Sequence, residues 1–359
     1  MKLMNYIKSN PIVILLVFIP FAILAKLLAW SSLSIFVLSA ISLIPLAGLI
    51  GQSTEKLSEY TGPKIGGLLN ATLGNAAELI ITLVAIKEGL LELVKASITG
   101  SIIGNLLLVM GVSMVAGGLK NGIQKFDRRQ SSNQSILLIL AVMALAIPSF
   151  FGNHLGDTGS NEVEIMSLGV AGVMVLLYAL GIIYSLKANS DSPLSYEIES
   201  GEIAHERWSK GMVLGILAIS TFGVVIMSEI LVGEVESVVS TLGLSEFFIG
   251  IIVIPIIGNI AEHLVAVQVA FRNKMDLSVE IAISSSLQIA LFVAPILVFI
   301  SLAMGNPLTL MFNSFELIAL GSAVMIAALV AIDGESNWLE GAALVTIYLI
   351  LGLSFFMLP

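Results

Sequence analysis

Apolar residues fill this chain in successive runs of about twenty, separated by short polar breaks. A transmembrane helix needs roughly 20 mostly apolar residues to cross the bilayer core. The pattern predicts eleven spans, at residues 11–30, 33–53, 66–86, 94–119, 135–151, 165–186, 211–232, 247–270, 277–303, 312–332 and 338–358. No polar break is long enough for a separate catalytic domain. The fold class is therefore an all-α membrane protein.

Basic residues test the number of crossings, because cytoplasmic loops are enriched in Lys and Arg. With eleven spans and a cytoplasmic N-terminus, the inside segments carry Lys2, Lys8, Lys56, Lys64, Lys120, Lys125, Arg128, Arg129, Lys187, Arg207, Lys210, Arg272 and Lys274. The outside loops carry only Lys87 and Lys95. One helix more or fewer would reverse the later loops and destroy this asymmetry. The expected placement is a multi-pass cell membrane protein, inner or plasma, with its C-terminus outside.

Composition agrees: 57% of residues are hydrophobic and 11% charged, against about 25% charged in soluble domains. The chain has no cysteine, which excludes disulfides, thiolate metal sites and thiol nucleophiles. Lys2 and Lys8 before an apolar run resemble a signal peptide, but that run reaches Trp30 and further spans follow, so an uncleaved first helix is expected.

A repeat organises the chain. Gly74-Asn75-Ala76-Ala77-Glu78 in the third span matches Gly258-Asn259-Ile260-Ala261-Glu262 in the eighth, at an offset of 184 residues. The same offset pairs Ser101 with Ser285 and Gly104 with Gln288. Upstream, Thr54-Glu55-x-Leu57 pairs with Ser228-Glu229-x-Leu231 if the second copy has a longer loop. The expected organisation is a peripheral first helix (1–32), a five-helix repeat (33–187), an acidic cytoplasmic linker (188–210) and a second five-helix repeat (211–359). Five crossings is odd, so the copies run in opposite directions. Inverted repeats characterise many secondary transporters, with the substrate held near the midplane where they meet.

Glu78 and Glu262 lie deep in apolar helices, where inserting an ionised acid costs about 2.5–3.5 kcal/mol or more. Asn75 and Asn259 sit three residues before them, on the same helix face. The fourth span offers Ser97, Ser101 and Asn105; the ninth offers Ser285 and Gln288. Pro255 should kink or break the eighth span and free carbonyls that only protein or a cavity can satisfy. Carboxylates with amide, hydroxyl and carbonyl oxygens suit a hard divalent cation: Ca²⁺ accepts six to eight oxygens, and Mn²⁺ also favours them. A zinc centre would want several nitrogen or sulfur ligands, and no His-Glu-x-x-His pattern is present.

Other acids leave alternatives open. His263 either bonds a neighbouring helix or titrates with pH. Glu55 and Glu229 are either interfacial residues or line an entry and pass protons. Glu199, Glu202 and Glu206 share a face if the linker is helical. They then form either a solvated connector or an acidic surface that gathers cations.

These motifs resemble the cation/proton exchanger (CAX) family of Ca²⁺/H⁺ antiporters, most closely its bacterial members. The resemblance rests on the stretch from Gly66 to Ile80, on Gly258-Asn259-Ile260-Ala261-Glu262-His263 and on Ser285 to Leu291, and it covers nearly the whole chain. It implies the cation/Ca²⁺ exchanger-like fold. It also implies central ion ligation by Glu78 and Glu262, with Asn75, Asn259, Ser101, Ser285 and Gln288 lining the site. His263 matches the family's histidine, and Glu55 and Glu229 match acids on its gating helices.

The expected activity is export of cytosolic Ca²⁺ against H⁺ by alternating access, without a resident cofactor. Partners are the two ions and the bilayer; nucleic acid is not expected, and a homo-oligomer is compatible. A Na⁺/Ca²⁺ exchanger of the same fold and a cation channel are the competing readings. No nucleophile–base pair or metal-hydrolase pattern supports a membrane enzyme.

Overall fold

The computed structural model describes residues 10–155, 160–187 and 208–358. The acidic linker, with Glu199, Glu202 and Glu206, lies outside the described residues. Eight helices among them are long and apolar enough to cross a membrane, and two shorter apolar helices, Pro11–Leu27 and Ser314–Val330, supply the first and tenth spans. The remaining predicted span, the third, is divided. One helix, Ser32–Leu73, runs through the second span and into the third; the chain breaks at Gly74-Asn75 and resumes as Ala76–Lys87.

The long helix is not straight. Eight residues of α-helix rise about 12 Å, yet a Cβ built on Gly66 would lie 2.6 Å from that of Ser58. The backbone doubles back between them, separating the second span from the third without a loop.

Side-chain and strand contacts sort the connections into two faces. On one face Lys26 pairs with Glu234, Lys87 with Glu229 at 3.0 Å, and Asn306 donates to the carbonyl of Ile86 at 2.8 Å. On the other face Gln124–Lys125 forms an antiparallel pair with Glu335–Ser336, and Gln124 donates to Asn273 Oδ1 at 3.0 Å. The Asp127 amide donates to Asp276 there, and Tyr60 to the carbonyl of Trp208. Connections 1–2, 3–4, 7–8 and 9–10 thus share the first face, and 2–3, 4–5, 6–7, 8–9 and 10–11 the second. Spans two to six therefore run opposite to spans seven to eleven.

Several span boundaries move for local reasons. The fifth span begins at Arg128 instead of 135, because Ser131, Gln134 and Ser135 are buried polar residues inside the helix. Ser245 starts the eighth span by accepting from the Phe248 amide. Glu316 and Glu340, acids near span ends, each complete a capping box with Asn313 and Asn337.

Three π-helical turns interrupt the core spans: Gly104–Val109 in the fourth, Ile249–Val253 in the eighth and Ile289–Val293 in the ninth. The first and third end at residues related by the 184-residue offset. Such turns often mark functional sites.

Candidate functional site

The third span brings Asn75 and Glu78 to the centre; the fourth brings Ser101 and Asn105, the eighth Asn259, Glu262 and His263, and the ninth Ser285 and Gln288. Glycine permits this convergence. A Cβ on Gly258 would lie 2.8 Å from Cγ of Glu78, so the glycine of one motif makes room for the glutamate of the other. Pro255 has no N–H to offer the carbonyl of Ile251 four residues back. That carbonyl instead faces Gly100, whose Cβ would lie 2.0 Å from the oxygen. The kink expected at Pro255 is thus a π turn ending just before it, with Gly100 accommodating the displaced backbone.

The central side chains form one network. Ser101 donates to Glu78 Oε1 at 3.1 Å and accepts from Asn259 Nδ2 at 3.2 Å. In the other half Ser285 donates to Asn75 Oδ1 at 3.3 Å, and Asn75 donates to Gln288 Oε1 at 2.7 Å. The serine and asparagine of opposite repeats therefore pair in both halves. Asn105 donates to Ser285 at 3.1 Å, and His263 Nε2 lies 3.2 Å from Asn105 Oδ1. Of the two readings of His263, the structure displays the bond to a neighbouring helix.

The halves differ in burial. Glu78, Asn75, Ser101, Asn259, Ser285 and Gln288 are buried, whereas Glu262 and His263 are half-buried. Glu262 also carries a buried oxygen, Oε2, with no partner. Toward the first face the fourth span is buried from Leu93 to Ser101. Toward the second face Leu264 and Val265 of the eighth span are exposed. Beside Glu78, a small cavity of about 10 Å³ is lined by Thr82, Ser97, Ile98, Ser101, Ile289 and Val293.

Glu229 pairs away from this network. Glu55 is half-buried in the helix Ser32–Leu73, and Glu229 is exposed in its ion pair with Lys87. Sequence reasoning named Asn105 only as a donor in the fourth span and missed its contacts to both Ser285 and His263. Its four-residue spacing from Ser101 was the available signal. The Lys87–Glu229 pair left no sequence signal, because the residues are 142 apart.

Among the described residues no three of His, Cys, Asp and Glu cluster as a metal site. Two carboxylates with neutral oxygens can cancel a divalent charge without the strong nitrogen or sulfur ligation of a permanently held metal. The donor set therefore fits a cation that is carried and released.

Inverted repeats meeting at paired buried carboxylates define a secondary cation exchanger. The comparisons agree: a family model described as "Sodium/calcium exchanger protein" matches residues 31–187 and 212–357. The chain belongs to this family. It is 44% identical to a Ca²⁺/H⁺ antiporter of Aphanothece halophytica, over 96% of each chain. It is 42% identical to the Ca²⁺/H⁺ antiporter ChaA of Bacillus subtilis, over 95% of this chain and 97% of that one. The solved structure of native YfkE superposes with a TM-score of 0.83 at 40% identity, covering 97% of this chain and all of YfkE.

Proposed function

We propose that this protein exports cytosolic Ca²⁺ in exchange for H⁺ by alternating access, with Glu78 and Glu262 as the shared binding groups. The observation that carries the reading is the convergence of these two acids, from antiparallel repeats, in one oxygen-lined network. The names of relatives 42–44% identical over nearly their full length support protons as the counter-ion.

The exchange rule follows from charge. Two unpaired carboxylates are costly to enclose away from water. One Ca²⁺ cancels both charges, and so do two protons. Either load permits the switch between access states, whereas the empty site resists it. The unpartnered Oε2 of Glu262 is an open ligand position, and Ser101, Ser285, Asn75, Asn259 and Gln288 supply neutral oxygens after small reorientations. Mn²⁺ shares this ligand preference.

The protein lies in the cell membrane with the second face, rich in Lys and Arg, toward the cytoplasm. The half-exposure of Glu262 and His263, with the fourth span buried toward the other face, supports an inward-open state. Glu55 and Glu229 belong to the moving spans, and the acidic linker with Glu199, Glu202 and Glu206 gathers cations near the cytoplasmic entrance. No reaction chemistry is assigned to the chain, which acts as a transporter and not as an enzyme.

The deciving experiment for the central pair is Ca²⁺ uptake into everted vesicles under an imposed pH gradient, without Na⁺. The wild-type protein should take up Ca²⁺ and Glu78→Gln should not. Near-normal uptake by the variant overturns the central role, and strict dependence on Na⁺ would favour a Na⁺/Ca²⁺ exchanger.

A further inference from the structure

The first face is held by charges that the binding site does not use. Lys87 ends the third-span helix Ala76–Lys87, and its ammonium meets Glu229 at 3.0 Å, one turn before the seventh-span helix ends at Val232. The hydrogen bond to Glu229 holds Lys87 above the ordinary lysine pKa. Nearby, Lys26 of the first span grips the buried Glu234 just past the same helix. The third span is thus tied to the seventh on the face where the central site is covered.

The repeat supplies a counterpart for Glu229 directly and a basic residue one position beyond the counterpart of Lys87. Glu229 corresponds to Glu55. Lys87 corresponds to Phe271, which likewise ends its helix, and the next residue, Arg272, is that helix's cap. Arg272 is exposed on the second face and makes no ion pair among the described residues. In an inverted-repeat transporter the two copies exchange conformations as access alternates. A contact made by one copy in one state has its image in the other copy in the other state.

We propose that Lys87 and Glu229 form a charge clasp closing the outer face in this state, and that Arg272 and Glu55 form the matching clasp on the inner face in the opposite state. The proposal rests on the alternating-access reading above. Each clasp biases the access equilibrium without touching the ion. Exposed ion pairs are weak, so the bias is a two- to fivefold change in state populations. That is enough to tune apparent affinity while leaving the gate free to open.

The cysteine-free chain makes the test direct. K87C/E229C is reconstituted in vesicles and joined with a flexible bis-methanethiosulfonate linker. Joining should stop pH-driven ⁴⁵Ca²⁺ flux, dithiothreitol should restore it, and the joined protein should still bind Ca²⁺ in detergent. E55C/R272C, joined in the same way, should also lose flux reversibly. In a second arm, Lys87→Glu should weaken apparent Ca²⁺ affinity from the cytoplasmic face two- to fivefold, and K87E/E229K should restore it. Full flux in the joined K87C/E229C protein overturns the outer clasp, and full flux in joined E55C/R272C overturns the inner one. If K87C/E229C is inactive before joining, the K87E/E229K swap decides the outer clasp; if E55C/R272C is inactive, restoration of flux by E55R/R272E over Arg272→Glu decides the inner one, and failure of either swap overturns that pairing. Absence of pH-driven flux in the wild-type protein would instead overturn the antiport reading itself.

Discussion

The two Gly-Asn-x-Ala-Glu motifs are alike in sequence and unlike in setting. In the first, the helix breaks at Gly74-Asn75 and Glu78 is buried beneath the Ser101 hydroxyl. In the second, Gly258 and Asn259 lie inside the continuous helix Ile254–Phe271, and Glu262 is half-buried with one oxygen unpartnered. Identical chemistry placed in two environments means that one conformation cannot be symmetric. If access alternates as proposed, the opposite state should give the second copy the closed environment. The asymmetric residues sharpen this: Gln288 stands opposite Gly104 in the repeat, and His263 opposite Leu79.

The strongest challenge to this comparison removes one charge at a time. Glu78→Gln and Glu262→Gln should each reduce pH-driven Ca²⁺ flux at least about 100-fold, because unbalancing a buried charge set costs roughly 3–5 kcal/mol. Their settings should separate in reactivity. In the cysteine-free background, Glu262→Cys should be labelled from the cytoplasmic face by a membrane-impermeant thiol reagent much faster than Glu78→Cys. Equal labelling rates would mean that the two acids share one environment.

Next in size is Gly258→Ala. The added Cβ would lie 2.8 Å from Cγ of Glu78, and overpacking of this kind costs about 1–3 kcal/mol. Apparent Ca²⁺ affinity should fall about tenfold, measured by calorimetry on purified protein. Unchanged affinity would show that Glu78 can move freely and that the motif glycine does not shape the site.

Much of this arrangement was legible in the sequence, and the reason is the membrane. A buried acid in an apolar helix is costly, so Glu78 and Glu262 stood out, and the 184-residue offset joined them. The Lys and Arg distribution yielded a crossing pattern that agrees with the two-face grouping of the connections. What was not legible depends on contacts between distant segments. The polar break at 54–65 separated the second span from the third, but nothing in it showed that the helix Ser32–Leu73 would run through the fold-back between Ser58 and Gly66. Nor do π turns have a composition of their own; Pro255 signalled a break but not that Gly100 would receive the displaced carbonyl. The early start of the fifth span at Arg128 was hidden by Ser131, Gln134 and Ser135, polar residues that read as loop but are buried in the helix.

The smallest expected effect tests the symmetric part of the comparison. Ser101 donates to Glu78, and Ser285, its counterpart, donates to Asn75. Removing one such hydroxyl forfeits about 1 kcal/mol, and more when a buried partner is left unsatisfied. Ser101→Ala removes the hydroxyl that donates to Glu78 Oε1 and also strips a partner from Asn259, so it should lower apparent Ca²⁺ affinity about five- to tenfold. Ser285→Ala strips a partner from Asn75 and from Asn105 but leaves them their bonds to Gln288 and His263, and it should cost about half as much in free energy, a two- to threefold loss. Flux titrated against cytoplasmic Ca²⁺ checks both. A larger loss for Ser285→Ala would place the tighter half of the site on the second repeat and reverse the asymmetry drawn from Glu78 and Glu262.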